Sequence, residues 1–319
     1  MKVTVVVRTY NRPEFLKEAL VSIQLQTHTD WEVLIFDDAA SVENFTIYNK
    51  FKDINSDKRI MYITTKKSHD MFQNSWLLAP DLAEGEIMVR LDDDDLLAED
   101  ALQFLSETYT NNPELEFSYG SAVTFNENEL GHLIQTNTCF DHAKTKHEWA
   151  AYTIPNNAPW YHPWAFYRDY YDEPRHFTSI IHCAKDNAFC VFHTYVMRTN
   201  SIKKVKNKIT MTSKFVDDLE FMGSLDYLGL GQASIKKILS YVRIHNLGRV
   251  SDNGRQVDNT NIFNENFRIR DKVDEIRPSG FLSKVIPLDA PDNFNDGVTN
   301  VLMDKFSSYK QRIFDIVNS

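Results

Sequence analysis

The chain has 319 residues, of which 42% are hydrophobic and 25% charged, and its formal net charge is −10. This composition provides for a sizeable core, and together with only 10 glycines and 10 prolines it excludes a disordered, collagen-like or linker-dominated protein. The negative charge disfavours nonspecific binding to nucleic acid or to anionic membranes.

The cysteines and the hydrophobic runs predict the compartment. Cys139, Cys183 and Cys190 show no CxxC zinc spacing and are too few and uneven for a disulfide framework, so they favour a reducing interior. Charges interrupt every hydrophobic run well before the ~18 apolar residues of a membrane helix. The apolar run that ends at Arg8 is too short for a secretory signal. We therefore expect a soluble, cytoplasmic protein.

The first 120 residues alternate short apolar runs with amphipathic stretches. Four runs predict buried strands, at 3–7, 31–36, 59–64 and 86–91. Helices are expected after each of them, beginning near Pro13, after residue 41, at 70 and at 98. This alternation predicts an α/β fold whose open, mostly parallel sheet is flanked by helices and joined by right-handed crossovers.

Beyond residue 116 the regular alternation ends. The later elements expected are strands at 117–125, 188–198 and 232–245, a helix that begins near Asp217, and an amphipathic C-terminal helix over 298–317. Apolar positions at Val301, Leu302, Phe306, Ile313 and Val317 indicate that this last helix docks onto the main domain. We divide the chain into residues 1–115, residues 116–251 and a partly helical C-terminal appendage, 252–319.

Polar clusters follow three of the predicted strands, at Arg8–Asn11, Asp37–Asp38 and Asp92–Asp95. Ligands of open parallel sheets bind outside the carboxyl ends of the strands, so these clusters are expected to meet there. Four adjacent carboxylates repel one another unless a cation compensates them, and oxygen ligands favour Mg²⁺ or Mn²⁺. The run therefore predicts a metal-bridged diphosphate site, and the alternative is a solvated acidic loop that caps the next helix.

Several common catalytic motifs are absent from the sequence. It contains no GxxxxGK[ST], no GxGxxG after the first strand, no HExxH and no GxSxG, and its ten histidines lack zinc spacing. P-loop nucleotide hydrolysis and ordinary dinucleotide redox chemistry are therefore poor interpretations.

Two segments of the sequence resemble conserved segments of glycosyltransferase family 2 and occur in the same order. The first runs from Val3 to Asp38 and contains TYNRP at 9–13; the second, GEIMVRLDDDD at 85–95, is similar to the family's "GE-I-x-x-LDxDD" segment. Weaker likenesses extend the resemblance to about residue 251, with VDDLEF at 216–221 similar to the "ED" segment and YVRIH at 241–245 similar to the "YRxH" segment.

The resemblance implies a Rossmann-like GT-A fold and inverting transfer of a sugar from a nucleoside diphosphate sugar, with UDP the favoured nucleotide and Mn²⁺ or Mg²⁺ as cofactor. Residues 1–115 would then bind the donor and 116–251 the acceptor. Carried over by position, the implied roles are nucleobase stacking by Tyr10, base or ribose binding by Asp38, a place near the ribose for Asp92, metal binding by Asp94 and His245, and general-base catalysis by Asp218. The nucleotide-sugar-binding set is completed by Arg8, Thr9, Asp37 and Asp93. A base opposite the leaving group is what an inverting displacement requires.

The sequence departs from the family pattern at several positions. Arg8 stands where the family has a proline or a small residue, so it could contact a phosphate or the base, or pair with Asp37. Residues 37–41 read DDAAS instead of DDGS, and Gln73-Asn74 stands nearest to the family's arginine–asparagine pair. Lys66 and Lys67 are further candidates for a donor-phosphate contact, and Asp217 is the alternative to Asp218 as base.

The expected acceptor is a hydroxyl of a glycan or a lipid-linked saccharide. Aromatic residues crowded between 149 and 171, with lysines at 203, 204, 206 and 208, keep a hydroxylated base in DNA as an alternative, because aromatic rings stack on sugars and bases alike. A nucleotidyltransferase is a further alternative, although residues 8–13 contain no glycine-rich loop. A non-catalytic sugar- or nucleotide-binding module is the last.

Overall fold

The computed structural model describes residues 1–38, 42–55, 59–64, 71–113, 115–127, 133–138, 194–209, 221, 225, 232–243 and 296–318. Its strands are β1 (Val3–Thr9), β2 (Trp31–Asp37), β3 (Ile60–Thr64), β4 (Ile87–Asp92), β5 (Leu96–Leu97), β6 (Phe117–Glu127), β7 (Leu133–Thr138), β8 (Tyr195–Arg198) and β9 (Gln232–Arg243). Its helices are α1 (Pro13–Gln24), α2 (Val42–Asn55), α3 (Met71–Leu82), α4 (Ala101–Asn111), α5 (Thr199–Val205) and α6 (Asp296–Asn318).

All the described strands join one sheet in the order β3-β2-β1-β4-β8-β6-β9-β5, with β7 paired to β6. The first four strands are parallel, and β6 and β9 form a second parallel pair. Strand β8 runs antiparallel to both of its neighbours, β4 and β6, and so joins the two halves. The predicted α/β fold with a mostly parallel sheet, flanking helices and a C-terminal helix is confirmed.

The inner strands of the parallel half, β1, β2 and β4, are almost completely buried, whereas the edge strand β3 is partly exposed. Every residue of β1 and β2 is buried, as continuous apolar runs predict for parallel strands covered by helices. Helix α1 begins with Pro13 in its first turn and buries Leu16, Ala19, Leu20 and Ile23 on one face. The residue before its N-cap, Asn11, has φ +50°, a conformation that asparagine tolerates better than most residues.

Gly85 is required by the close approach of the chain to β1 just before β4 begins. A Cβ at this position would lie 2.5 Å from both the backbone nitrogen and Oγ1 of Thr4. The Gly85 N–H donates to Thr4 Oγ1 (3.0 Å) and to Glu32 Oε1 (3.2 Å). These buried hydrogen bonds hold the chain against β1 at a place where a side chain would not fit. The glycine of the GE segment therefore has a packing role in placing β4 beside β1.

Helix α6 closes the core behind the second half of the sheet. Its buried residues Phe306, Tyr309 and Ile313 follow helical spacing. The Phe306 ring stacks on Tyr241 with centroids 4.0 Å apart, and the Tyr309 hydroxyl donates to the backbone oxygen of Leu97 (2.9 Å). The predicted docking of this helix is confirmed for Phe306 and Ile313, while the side chains of Val301 and Leu302 lie outside the described part.

Most predicted elements of the first half are found within a few residues of their expected bounds. The elements that the sequence did not predict are β5, β7 and α5. The expected strand over 188–198 is described only as β8, and of the helix expected near Asp217 only Phe221 and Leu225 are described, both helical. The aromatic stretch over 149–171 lies outside the described residues. The division into 1–115, 116–251 and 252–319 stays a prediction.

No helix in the described part of the chain combines the length and the apolar character that crossing a bilayer requires.

The packing of α6 yields a first testable prediction. We expect Phe306→Ala to lower the free energy of unfolding by about 3–5 kcal/mol, because it empties a fully buried site in which the ring packs on Phe125 and Tyr241. Ile316→Ala, on the exposed side of the same helix, should change it by at most about 0.5 kcal/mol. Urea unfolding followed by circular dichroism measures both, and equal small losses would contradict the docking of α6.

Candidate active site

The carboxyl ends of β1, β2 and β4 meet at one edge of the sheet, as predicted. Their register places Arg8 beside Phe36 and Asp92, and Thr9 beside Asp37. Two backbone hydrogen bonds continue the contact past the strand ends, from Asp38 N to Thr9 O (3.0 Å) and from Asp93 N to Arg8 O (3.2 Å). The three polar clusters that the sequence separates are therefore neighbours in space.

Asp37 is a buried carboxylate that ties several elements together. It accepts a hydrogen bond from Asn44 Nδ2 (3.2 Å) and another from the Tyr62 hydroxyl. Asn44 Nδ2 also donates to Thr9 Oγ1 (3.3 Å). Burial, and then the hydrogen bond to Asp37, raise the pKa of Tyr62, which keeps this hydroxyl protonated as a donor. Asp37 and Thr9 thus hold the ends of β1, β2 and β3 together with α2.

Asp93 is fully buried and is compensated by Arg12. Arg12 Nη2 lies 2.5 Å from Asp93 Oδ1, its Nε donates to Asp93 Oδ2 (3.3 Å), and its Nη1 pairs with Asp94. The backbone N–H of Tyr10 also donates to Asp93 Oδ2 (3.3 Å). Burial raises the pKa of Asp93, and the Arg12 charge acts against that shift. Burial alone would lower the pKa of Arg12, but the charges of Asp93, Asp94 and Asp92 raise it overall.

Asp92 is approached by two buried arginines from adjacent strands. Arg90 Nη2 donates to Asp92 Oδ1 (2.9 Å), and Arg8 Nη2 lies 3.5 Å from the same oxygen. Both guanidinium groups stand over the Trp76 ring of α3, Arg90 at 4.5 Å and Arg8 at 5.6 Å from its centroid. A weakly hydrated planar cation suits such a buried aromatic surface. Asp92 therefore forms ion pairs with both Arg8 and Arg90.

Asp94 and Asp95 are held by Arg243 at the end of β9. The Arg243 backbone N–H donates to Asp95 Oδ1 (3.2 Å), and its Nε donates to the backbone oxygen of Asp94 (3.1 Å). Asp95 N donates to Asp92 O (3.2 Å), which closes a tight turn through the run. The turn sends the Asp93 side chain inward and leaves Asp92 and Asp94 partly exposed.

Three of the four carboxylates are arranged in a way that fits a hard divalent cation. One ligand oxygen each from Asp92, Asp94 and Asp95 lies within 4.8 Å of the others. Opposite ligands of an octahedral Mg²⁺ are separated by about 4.2 Å, so small side-chain rotations would bring these oxygens around one ion. The donor set, oxygen only and partly exposed, is the kind that Mg²⁺ and Mn²⁺ prefer.

The structure thus brings together all the predicted donor-site residues of the first half, namely Arg8, Thr9, Tyr10, Asp37, Asp38, Asp92, Asp93 and Asp94. Asp217, Asp218, His245, Lys66 and Lys67 lie outside the described residues, and their roles stay predictions. Sequence reasoning gave no separate role to Arg12, Arg90 or Arg243, and it included Asp95 only as part of the acidic run. For Arg90 a signal existed, because a residue two positions before Asp92 on a strand points to the same face.

The family model described as "Glycosyl transferase family 2" matches residues 4–205, well over half of the chain. The chain belongs to glycosyltransferase family 2. The matched segment contains the whole acidic run and the ends of β1, β2 and β4, and it ends before Asp218, His245 and α6.

Curated relatives are similar over the first part of the chain. A GalNAc(5)-diNAcBac-PP-undecaprenol beta-1,3-glucosyltransferase of Campylobacter jejuni is 34% identical over 109 residues, which is 33% of this chain and 34% of that protein. Protein CgeD of Bacillus subtilis is 26% identical over 143 residues, or 42% of this chain and 32% of its own length. The chain therefore aligns with about a third of each of these two relatives.

Solved glycosyltransferase structures share the fold at low identity. The structure of S. aureus TarS in complex with UDP-GlcNAc has a TM-score of 0.56 at 16% identity, covering 86% of this chain and 66% of that one. The mannosyltransferase PcManGT from Pyrobaculum calidifontis, in complex with GDP-Man and Mn²⁺, has a TM-score of 0.53 at 12% identity, covering 99% and 73%. The predicted GT-A fold is confirmed by these likenesses.

Asp93 and Arg12 provide a prediction about the stability of the site. We expect Arg12→Met to lower the free energy of unfolding by about 3–5 kcal/mol at neutral pH, because it leaves a buried carboxylate without its principal compensating cation. The double variant Arg12→Met/Asp93→Asn should recover much of that loss. Chemical denaturation of the wild type and the three variants of this cycle measures the effect.

A matched control is Lys2→Met, which breaks a partly exposed pair with Glu84 and Glu32. Its loss should be near 1 kcal/mol or less. If Arg12→Met were no more destabilising than this control, Arg12 would not be compensating a buried charge.

Proposed function

We propose that the protein is an inverting, divalent-metal-dependent glycosyltransferase that moves a sugar from a nucleoside diphosphate sugar to an acceptor hydroxyl. The observation that carries the proposal is the cluster of Asp92, Asp94 and Asp95 at the carboxyl ends of β1 and β4, in a chain of family 2. Ligands of open α/β sheets bind at this edge, so the cluster lies where a diphosphate would enter.

The nucleoside would bind between Tyr10 and the end of β2. Tyr10 follows β1 directly and its backbone is fixed by Asp93, so its ring belongs to the same edge as Asp38. Asp38 is held by its backbone hydrogen bond to Thr9 and would accept from the base or the ribose. Fold neighbours hold UDP-GlcNAc and GDP-Man, and we propose a UDP sugar as the donor on the family resemblance.

Asp94, with Asp92 and Asp95, would hold Mn²⁺ or Mg²⁺ beside the diphosphate. Such an ion would stabilise the negative charge that grows on the leaving nucleotide. Arg12 and Arg243 keep the three carboxylates together, because each donates into the turn that carries them. Arg8 and Arg90 hold Asp92 in one orientation, which fixes the geometry of the site in advance.

Asp218 would act as the general base, with Asp217 as the alternative. Phe221, three residues later, is fully buried and stacks on Trp76, the ring that carries Arg8 and Arg90, with centroids 4.5 Å apart. Three residues span at most about 11 Å, so chain connectivity is compatible with this proposal. Connectivity is likewise compatible with His245 as a second metal ligand, since it follows Arg243 by two residues.

The acceptor would be a hydroxyl on a glycan or a lipid-linked saccharide. The C. jejuni relative is named for transfer onto an undecaprenol-linked saccharide, which supports this class over a hydroxylated base in DNA. We further propose that the protein works in the cytoplasm, in agreement with the odd number of cysteines and with their spacing, which is not typical of a disulfide framework.

A thermal-shift screen tests the donor site. We expect one of UDP, GDP or CDP to stabilise the wild type only in the presence of Mn²⁺, because the ion would supply the positive charge that offsets the diphosphate and the carboxylates. A nucleotide at ~100 times its dissociation constant should add about 2.7 kcal/mol. Asp94→Ala should abolish the shift, and Asp81→Ala, which removes a half-exposed carboxylate of α3, should retain it. Stabilisation that is equal in both variants would contradict the metal site.

Turnover of the same donor tests the base. We expect Asp218→Asn to lower the rate constant of transfer by about 10²–10⁴-fold while the nucleotide shift persists, because only proton removal from the acceptor is lost. Asp217→Asn is the matched control for charge and position. A large rate loss in Asp217→Asn alone would move the base by one residue, and normal rates in both would exclude this segment from catalysis.

A further inference from the structure

A buried cluster of four charges lies behind the acidic run and belongs to four different elements. Its members are Glu18 of α1, Glu127 of β6, Arg243 of β9 and Lys310 of α6. Arg243 Nη2 lies 2.5 Å from Glu18 Oε2 and its Nη1 pairs with Glu127. Lys310 Nζ lies 2.9 Å from Glu18 Oε2 and 2.6 Å from Glu127 Oε1. Two cations and two carboxylates leave the cluster neutral.

The cluster leaves the Arg243 side chain little freedom to move. Only 2% of this side chain is exposed, and its guanidinium carbon stands 4.7 Å from the centre of the Phe15 ring and 4.8 Å from that of Phe125. Two nitrogens are committed to the carboxylates, while Nε and the backbone N–H point to Asp94 O and Asp95 Oδ1. Arg243 therefore links the buried cluster rigidly to the turn of the acidic run.

Lys310 balances the charge of the buried cluster that holds Arg243. It is 3% exposed and shares both carboxylates with Arg243. Without it, two buried carboxylates would face a single guanidinium, and the charge imbalance would draw Arg243 away from the turn. Lys310 lies on α6, about a hundred residues beyond the segment that the family model matches.

We propose that Arg243 and Lys310 are positioning residues for the carboxylates of the Asp94–Asp95 turn, so that the C-terminal helix is a built-in part of the donor site. The inference rests on the proposed function only for its effect on metal binding; the positioning of the turn can be measured without metal. Outer contacts that orient ligands commonly contribute 10–100-fold to metal affinity.

The test compares two variants that each remove one positive charge from α6. Lys310→Gln disrupts the cluster, whereas Arg312→Gln removes a half-exposed arginine that pairs with Glu99. Amide hydrogen exchange of the full chain without metal reports on residues 92–97, and Mn²⁺ titration with UDP, followed by electron paramagnetic resonance, reports the affinity. We expect Lys310→Gln to lose protection in this segment and to bind Mn²⁺ about tenfold more weakly, with Arg312→Gln like the wild type.

Arg243→Lys keeps the charge of the cluster but cannot reach the turn and both carboxylates at once, so it should reproduce both effects. If Lys310→Gln does not fold, Arg243→Lys carries the test, and Lys310→Gln/Glu127→Gln, which keeps the cluster neutral, should stay close to the wild type because Glu18 still balances Arg243. Unchanged exchange and unchanged affinity in Lys310→Gln and Arg243→Lys would overturn the inference while the proposed function stands. A wild type that binds no Mn²⁺ would overturn the proposed function, and the exchange data would then decide the positioning role alone.

Discussion

The structure depends on a single electrostatic constraint, which is that four consecutive aspartates must be accommodated at the end of one buried strand. Adjacent carboxylates repel one another, and burial makes the repulsion more costly. The chain solves this with arginines from separate elements: Arg8 and Arg90 at Asp92, Arg12 at Asp93 and Asp94, and Arg243 at the turn over Asp94 and Asp95. The negative charges of the acidic run are thus compensated by arginines of the chain itself.

This compensation also separates the roles of the four aspartates. The turn closed by Asp95 N and Asp92 O directs Asp93 into the protein, where Arg12 holds it, and leaves carboxylate oxygens of Asp92, Asp94 and Asp95 within 4.8 Å of one another. One carboxylate therefore serves the fold, while three form the cluster that fits a divalent cation. The four aspartates differ because the backbone turn and the arginine partners give each position a different environment.

The sequence predicted the parallel half of the sheet and the polar clusters at its carboxyl edge because their signals are local. Apolar runs reveal buried strands, and polar residues directly after Val7, Phe36 and Leu91 mark the edge where those strands end. Arg243 and Lys310 carried no such local signal, because their partners lie far away in the chain. The pairing of β8 and β9 within the sheet, which local patterns do not determine, brings these residues together. The two-residue strand β5 was missed because a pair of leucines shows no period.

The most direct test of the proposed donor site is a crystal structure of the protein with UDP and MnCl₂, with anomalous scattering used to place the manganese. We expect a manganese peak at the Asp94 carboxylate, next to the diphosphate, with the uracil beside Tyr10 and Asp38. A nucleotide bound away from the carboxyl ends of β1, β2 and β4, or a peak that Asp92, Asp94 and Asp95 do not contact, would contradict it.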